Sequence, residues 1–468
     1  MESIELLLTN FKNILWGLPL LMLLFGTGIY LTILLRGIQF RYLGFALKAI
    51  LAPQKKGSKG DISHFEALMT TLAGAIGTGT IAGVATGISI GGLGSLFWMC
   101  IAAVFGMATK YAESLLAVKY RVEDKRGEFI GGPMEYIERG LGWKWMAILF
   151  AIFGVIAAFG TGNLVQVNSI ADAAHNILNI DPWATGVILS IITGLVLVGG
   201  VKAIGKVAGI LVPFMALFYL GAGAIILLIN ITEIPQALLT IIQSAFSGQS
   251  AVGGFAGSSV MMAIQMGAAR SVFTNEAGMG ISSIASAAAR TDQPGRQAMI
   301  SMTGTLLSTI VVCSVTGLVL TITGVLGKTT EDGRLLNGAS MAIEAFGIFL
   351  PGGGYIVTIG LILFAFTTVL AWAYYGEKSF EYLVGEKYIS LYRLIYVAAI
   401  IPGSALKMDI AWSLADIANA LMAIPNLIAL IALSGVIAAE TKLFLKEIEK
   451  EKLAAALPSD LTNTPKAM

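Results

Sequence analysis

The sequence predicts an all-α polytopic membrane protein with about eleven transmembrane helices, and three observations carry that prediction. The 468 residues are 56% hydrophobic and 12% charged, against about 25% charged in a soluble domain. Mean hydropathy is +0.82. Apolar runs near the ~20 residues that a helix needs to cross a bilayer recur along the whole chain. They do not alternate, as the ~10-residue segments of a transmembrane β-barrel do.

In chain order the predicted spans fall at 14–35, 65–92, 94–118, 146–178, 183–200, 207–230, 254–289, 297–325, 352–376, 388–406 and 410–438. The longest exceed a simple crossing, which implies tilt, a break or an extension beyond the bilayer. Basic residues divide the loops into two sets. One set holds Arg36, Arg41, Lys48, Lys55, Lys56 and Lys59, then Lys119, Arg121, Lys125, Arg126, Arg139 and Lys144. By alternation the same side holds Lys202 and Lys206, Arg290 and Arg296, then Lys378, Lys387 and Arg393. The opposite set holds only Lys12, Lys328, Arg334 and Lys407. The positive-inside rule makes the first set cytoplasmic, with the N-terminus outside and the C-terminus inside a cell (plasma or inner) membrane.

A formal net charge of +2 points to no nucleic-acid partner. Cys100 and Cys313 both sit in apolar runs and read as small core hydrophobes. His64 and His175 stand in no spacing that suits a metal. The apolar run from Ile14 to Leu35 lacks the basic start of a cleavable signal. The polar end LPSDLTNTPKAM reads as disordered.

Within the second span lies AGAIGTGTIAG, residues 73–83, where four glycines crowd into eleven positions. Each weakens a helix by about 1 kcal/mol relative to alanine. A twin follows in the seventh span, SVFTNEAGMGISSIAS from Ser271 to Ser286. Each stretch has a G-x-G inside a long apolar run: Gly77 and Gly79 in one, Gly278 and Gly280 in the other. The first span runs inside to outside and the second the reverse. With the leading span set aside, each opens a five-helix half, and the halves have opposite orientation. The chain then divides into 1–60 (an extra span and a basic cytoplasmic loop), 61–231 and 232–439 (the inverted halves), and 440–468 (a polar cytoplasmic tail).

Paired breaks in an inverted repeat are the pattern of a secondary transporter. Free backbone groups at membrane depth are tolerable only where a cavity, an ion or a substrate pairs them. A half-helix N-terminus offers N–H groups to a carboxylate, and carbonyls ending the preceding half can hold a cation. The competing use of small residues is close helix packing, which Gly83-x-x-x-Gly87-x-x-x-Gly91 fits. A phosphate loop is excluded, since no lysine follows the glycines.

Several polar residues stand deep in these spans. Glu276 precedes the second G-x-G, and Glu113 in the third span is its companion; intramembrane carboxyls cost at least about 2.5 kcal/mol and default to function. They either couple transport or pair backbone N–H groups at a break. Thr367 and Thr368 offer adjacent hydroxyls suited to a small hard cation, or bond their own i−4 carbonyls. Trp372 shares roughly their face and shrinks any cavity there. Asn163 and Gln166, one turn apart, are candidate pocket residues. Arg270 is either a gate on the outer side or an interfacial anchor.

The segments GAIGTGTIAGVATG, KYAESLLAVKYR with GGPMEYIERGLG, and FTNEAGMGISSIASAAARTDQPGRQ together resemble the alanine or glycine:cation symporter family of sodium-coupled amino-acid carriers. The resemblance covers nearly the whole chain. It implies a LeuT-type fold, a 5+5 inverted repeat with one extra N-terminal helix. It further implies that Gly77, Thr78 and Gly79 give N–H groups to a substrate carboxylate. Sodium would meet the carbonyls of Ala73, Ile76 and Phe364 and the hydroxyls of Thr367 and Thr368. Carbonyls of Phe273 and Thr274 would accept from the substrate ammonium, with Gly278 and Met279 just beyond. Trp372, Met279 and Phe273 together would admit a side chain no bigger than a methyl, hence alanine or glycine. Thr80 stands where relatives with a second sodium site carry asparagine, so the number of sodium ions stays open.

The expected function is therefore sodium-coupled uptake of a small neutral amino acid by alternating access. A proton-driven carrier using Glu276 or Glu113 is the nearest alternative. A channel would need polar rings that are not evident. An enzyme is not expected, since no nucleophile–base set or metal cluster stands out.

Overall fold

The computed structural model describes residues 2–52, 57–247, 260–329, 333, 335–406 and 408–456. Among them the only strands are the two-residue pair Val122–Glu123 and Phe129–Ile130, a hairpin on the basic-loop side. Everything else of regular structure is helix.

The first membrane helix, α1 (Leu18–Leu34), is shorter than the predicted 14–35 span. A separate helix, Glu2–Leu15, precedes it, and Pro19 in the first turn restarts the helix after Gly17. The second span is broken into α2a (His64–Ala75) and α2b (Ala82–Gly91), with a 3₁₀ turn Thr78–Thr80 between. A capping box fixes its start: the Glu66 N–H donates to Ser63 Oγ at 3.1 Å, and the Ser63 N–H donates to Glu66 Oε2 at 2.7 Å. Then come α3 (Gly94–Lys119), α4 (Lys144–Ala157 and Val165–Leu178, joined by a π turn over Ala158–Leu164), α5 (Pro182–Val198) and α6 (Gly200–Ile229).

The seventh span is likewise broken, into α7a (Val260–Asn275) and the short α7b (Ser283–Ala287). The part of that span predicted for 254–259 lies outside the described residues. After it come α8 (Pro294–Thr323, with a π turn Leu306–Cys313), α9 (Gly353–Val384), α10 (Ile389–Gly403) and α11 (Met408–Ala432). Six of these helices are long and apolar enough to cross a membrane by length and composition. The α9 helix runs eight residues past its expected end at 376.

Further shorter helices were not anticipated, among them Leu43–Ala49, Pro133–Leu141, Ile234–Ser247 and Gly338–Phe349. The polar tail expected from 440 is corrected as well. Helix α12 (Ser434–Ala456) continues there, with Ile437, Phe444 and Ile448 buried against the body. Phe444 lies against Gly295 and edge-on to Phe45, with ring centroids 6.3 Å apart. Alternation of charged and apolar residues hid this amphipathic face. The final segment read as disordered, 457–468, lies outside the described residues.

Within the stripe Gly83, Gly87 and Gly91, the last two serve close packing. A Cβ on Gly87 would stand 2.9 Å from Arg270 Cγ, and one on Gly91 would stand 2.8 Å from Met266 Cβ. Small residues on α2b thus let α7a approach closely, and the two broken helices lie side by side.

Candidate substrate and ion site

The first break follows from its own residues. Helix α2a ends as Ile76 leaves helical geometry at φ −86° and ψ 77°. Its glycines are needed for close approach, since neither carries a positive φ. A Cβ on Gly77 would lie 2.5 Å from Thr368 Oγ1, and one on Gly79 would lie 2.5 Å from Phe273 Cδ1. The break is therefore pressed between α9 and α7a.

Oxygen atoms converge at the end of α2a. Thr368 Oγ1 lies 2.8 Å from the Ala73 carbonyl and 2.9 Å from the Phe364 carbonyl. Its single proton serves only one of them, so lone pairs are left in excess. Thr367 Oγ1 adds another oxygen 3.0 Å from the Phe364 carbonyl and also reaches Met215 Sδ at 3.6 Å. The negative end of the α2a dipole points at the same place. Oxygen-rich and fully buried, this cluster has the donor chemistry that a small hard cation takes.

The N–H side of the break faces α4. The Thr78 N–H donates to Gln166 Oε1 at 3.1 Å, while Gln166 Nε2 donates to the Thr161 carbonyl in the π turn at 3.0 Å. A π turn places these groups off the regular helical register, a device frequent at functional sites. The Thr78 hydroxyl is buried without a hydrogen-bond partner. Trp372 Nε1 donates to the Gly74 carbonyl at 3.3 Å, and the ring rests on Gly162. Trp372 thus braces the end of α2a.

The second break uses glycine differently. Gly278 and Gly280 adopt φ 92° and 76°, and Glu276 adopts a left-handed φ of 59°. Glu113 Oε1 accepts from the Gly278 N–H at 2.8 Å, the Gly280 N–H at 3.1 Å and Asn426 Nδ2 at 2.7 Å. This carboxyl pairs backbone donors freed by the break, one of the two roles foreseen for it. It does not join Glu276, whose Oε2 instead lies 3.9 Å from Lys110 Nζ.

Two expected pocket residues are placed elsewhere. Gly278 gives its N–H to Glu113 and its carbonyl to Asn426 at 2.8 Å, and its Cα faces Leu24 and Leu427. Its backbone is committed to holding the turn. Asn163 donates to the Tyr396 carbonyl at 2.8 Å, which ties α4 to α10. The π turn rotates it away from Gln166, a shift that regular helical spacing could not reveal. Met279 is buried inside the turn with its N–H on the Glu276 carbonyl. Thr274 Oγ1 lies 2.9 Å from Thr309 Oγ1 of the second π turn.

Two arginines anchor the elements around the site. On one side Arg270 and Asp416 form a buried pair at 2.9 Å. The guanidinium sits 5.2 Å from the Trp412 ring centroid and 5.6 Å from that of Phe273, and these two rings lie 4.9 Å apart. On the basic-loop side Arg121 donates to the carbonyls of Ala287 at 2.8 Å, Ala289 at 2.7 Å, Lys59 at 3.0 Å and Thr291 at 2.5 Å. It thereby ties the end of α3 to the segments leading into α2a and out of α7b. Sequence reasoning missed Asp416, Lys110 and Asn426 as site residues. Asp416 and Lys110 carried the available signal, ionisable groups within apolar spans.

Comparison with known proteins decides the family. The sequence profile of the sodium:alanine symporter family matches residues 1–456. The chain belongs to the sodium:alanine symporter family.

The chain is 51% identical over 451 residues to the sodium/alanine symporter AgcS of Methanococcus maripaludis, covering 95% of this chain and 98% of that one. It is 35% identical to the probable sodium/glutamine symporter GlnT of Bacillus subtilis, covering 96% of this chain and 91% of that protein. Among solved structures it is similar to MhsT in complex with L-phenylalanine, with a TM-score of 0.59 at 16% identity. That match covers 82% of this chain and 93% of MhsT, and it establishes the LeuT-type fold. This member of the family is accordingly a multi-pass membrane transporter that moves sodium with its substrate, and not an enzyme.

Proposed function

We propose that the protein takes up alanine or glycine together with sodium by alternating access, with its N-terminus outside and its C-terminus in the cytoplasm. What carries this reading is the meeting of the Ala73 and Phe364 carbonyls at Thr368 Oγ1, 2.8 and 2.9 Å away, at the end of α2a. Sodium bound there, with Ile76 and Thr367 completing its shell, neutralises the carbonyl end of the half-helix.

The amino-acid carboxylate then takes the N–H groups of Gly77, Thr78 and Gly79. In this reading it displaces Gln166 from the Thr78 N–H and finds the unpartnered Thr78 hydroxyl beside it. The released Gln166 amide is free to bond the substrate. Carbonyls of Phe273 and Thr274 accept from the substrate ammonium. Sodium and carboxylate lie on opposite sides of one short break, so each favours the other electrostatically.

Phe273, Met279 and Trp372 are all buried and bulky, which favours a side chain no larger than methyl. Arg270 with Asp416 forms the outer gate and Arg121 the inner closure. Competition for radiolabelled alanine uptake by glycine, valine and leucine tests the reading. Glycine should compete and leucine should not in the parent protein, whereas Trp372→Ala should admit the larger side chains. Unchanged exclusion in that variant would place the size limit elsewhere.

A further inference from the structure

The second break contains a charged group that neither sodium nor amino acid accounts for. Lys110, on α3, is 1% exposed. Its ammonium donates to the carbonyl of Asn275, the last residue of α7a, at 2.9 Å. It also donates to the hydroxyl of Ser282, the residue that precedes α7b. Glu276 Oε2 lies 3.9 Å away. The ammonium thus sits between the two ends of the break.

Its surroundings have the chemistry of an ion site. A backbone carbonyl ending a half-helix, a hydroxyl and a carboxylate are the oxygen donors that a small hard cation takes. The first break offers the same kinds of group, the Ala73 carbonyl and the Thr368 hydroxyl, at the end of its own half-helix. Each half-helix C-terminus carries the negative end of a dipole. Among the described residues no cationic side chain bonds to Ala73, Phe364 or Thr368, whereas at the second break one does.

Glu276 strengthens the comparison. Both of its carboxylate oxygens are buried and outside normal hydrogen-bond geometry, with Ser282 and Trp372 as polar neighbours. Its Oε1 faces the first break, 3.0 Å from where a Cβ on Gly74 would stand and beside the Tyr375 hydroxyl. A buried carboxylate without well-formed hydrogen bonds needs a nearby positive charge, and Lys110 supplies it. The other acidic group of this region, Glu113, is engaged by the Gly278 and Gly280 N–H groups and by Asn426.

We propose that the ammonium of Lys110 is a tethered cation that fills the ion position of the second break, so that one sodium ion, held at the first break, accompanies each amino acid. This rests on the first break being the sodium site. Lys110 pairs Glu276 and the Asn275 carbonyl throughout the cycle, and no second mobile ion is required there.

The test is alanine binding to purified protein over a sodium titration, with choline holding ionic strength constant. The parent protein should show a Hill slope for sodium near 1. Lys110→Gln leaves Glu276 and the Asn275 carbonyl without their cation. Its alanine affinity at low sodium should fall by about tenfold or more, and its sodium slope should rise toward 2 as a second ion is recruited. Lys110→Gln with Glu276→Gln removes the demand for a cation and should return the slope to near 1. A parent slope of 2, or a Lys110→Gln variant with unchanged slope and affinity, overturns the proposal. Should Lys110→Gln fail to fold, the double variant decides. Folded with a slope near 1 it supports the tethered cation; unfolded, it makes Lys110 a packing element and overturns it. Sodium-dependent melting without amino acid separates this from the substrate reading. One-site stabilisation by sodium in a protein that binds no alanine would remove the substrate alone.

Discussion

The hydroxyl of Thr368 lies 2.8 Å from the carbonyl of Ala73. Thr368 stands halfway along the unbroken 32-residue helix α9, and Ala73 stands in the last turn of α2a, which ends at Ala75. The contact ties a rigid helix to the free end of a half-helix. Whatever changes the balance of charge between these two oxygens therefore acts on the position of the break.

Thr368→Val keeps the shape of the side chain and removes that oxygen. The Ala73 carbonyl is left buried without its partner, at a cost of about 1–3 kcal/mol. Sodium would lose one oxygen ligand, and for a contact of that size its affinity should fall about five- to 140-fold, since 1.4 kcal/mol is a factor of ten. The same sodium titration of alanine binding reads the change directly, with size-exclusion chromatography to verify folding. Thr367→Val should do less, because the Thr367 hydroxyl bonds the Phe364 carbonyl of its own helix at 3.0 Å.

Gly77→Ala should weaken sodium and alanine binding together. The added methyl would meet Thr368 Oγ1 at 2.5 Å and Gln166 Oε1 at 3.0 Å. Overpacking of this kind costs about 1–3 kcal/mol. Gly83→Ala is the matched control, since its nearest neighbour would be 3.7 Å away. It should bind like the parent protein.

Asp416→Asn should loosen the side of the site covered by Trp412. Arg270 would keep its charge, buried and without its carboxylate, which costs about 3–5 kcal/mol when a buried pair loses one member. The expected result is a lower melting temperature and faster thiol labelling of Ala415→Cys in a background lacking Cys100 and Cys313. Labelling at the parent rate would show that the pair does not hold this side closed.

Glu113→Gln should lower stability without abolishing the fold. An amide oxygen can still accept from Gly278 and Gly280, but the bonds lose their charge, and hydrogen bonds to charged groups contribute about 1.5–3 kcal/mol. Glu113→Leu removes the acceptor altogether and should cost more. Thermal unfolding of the three proteins side by side gives the order.

The architecture was readable because bilayer crossing imposes length and apolarity on each segment, and because each broken helix concentrates glycine at its break. The two G-x-G motifs look alike in sequence, yet Gly77 and Gly79 serve close approach whereas Gly278 and Gly280 serve positive φ. Ala73, Phe364 and Thr368, which the family resemblance implied would share a site, do lie in contact, although Phe364 and Thr368 come from the unbroken α9. The bond of Asn163 to Tyr396 was not legible, because a π turn over Ala158–Leu164 shifts the register of α4 and helical spacing carries no sign of such a turn. The partners of Gly278 were not legible, because Glu113 and Asn426 come from helices far away in the chain. The Arg270–Asp416 pair needed Asp416, an intramembrane acid passed over in a span that otherwise reads as apolar.

The central claim is that sodium at the first break and a small amino acid on its N–H side bind as a coupled pair. The most direct test is calorimetric alanine binding to the parent protein and to Thr368→Val, with sodium replaced stepwise by potassium at constant ionic strength. The account predicts that alanine affinity in the parent rises with sodium alone, and that Thr368→Val loses this dependence while remaining folded. Equal affinity in sodium and potassium, or a Thr368→Val protein with the parent's sodium dependence, would contradict it.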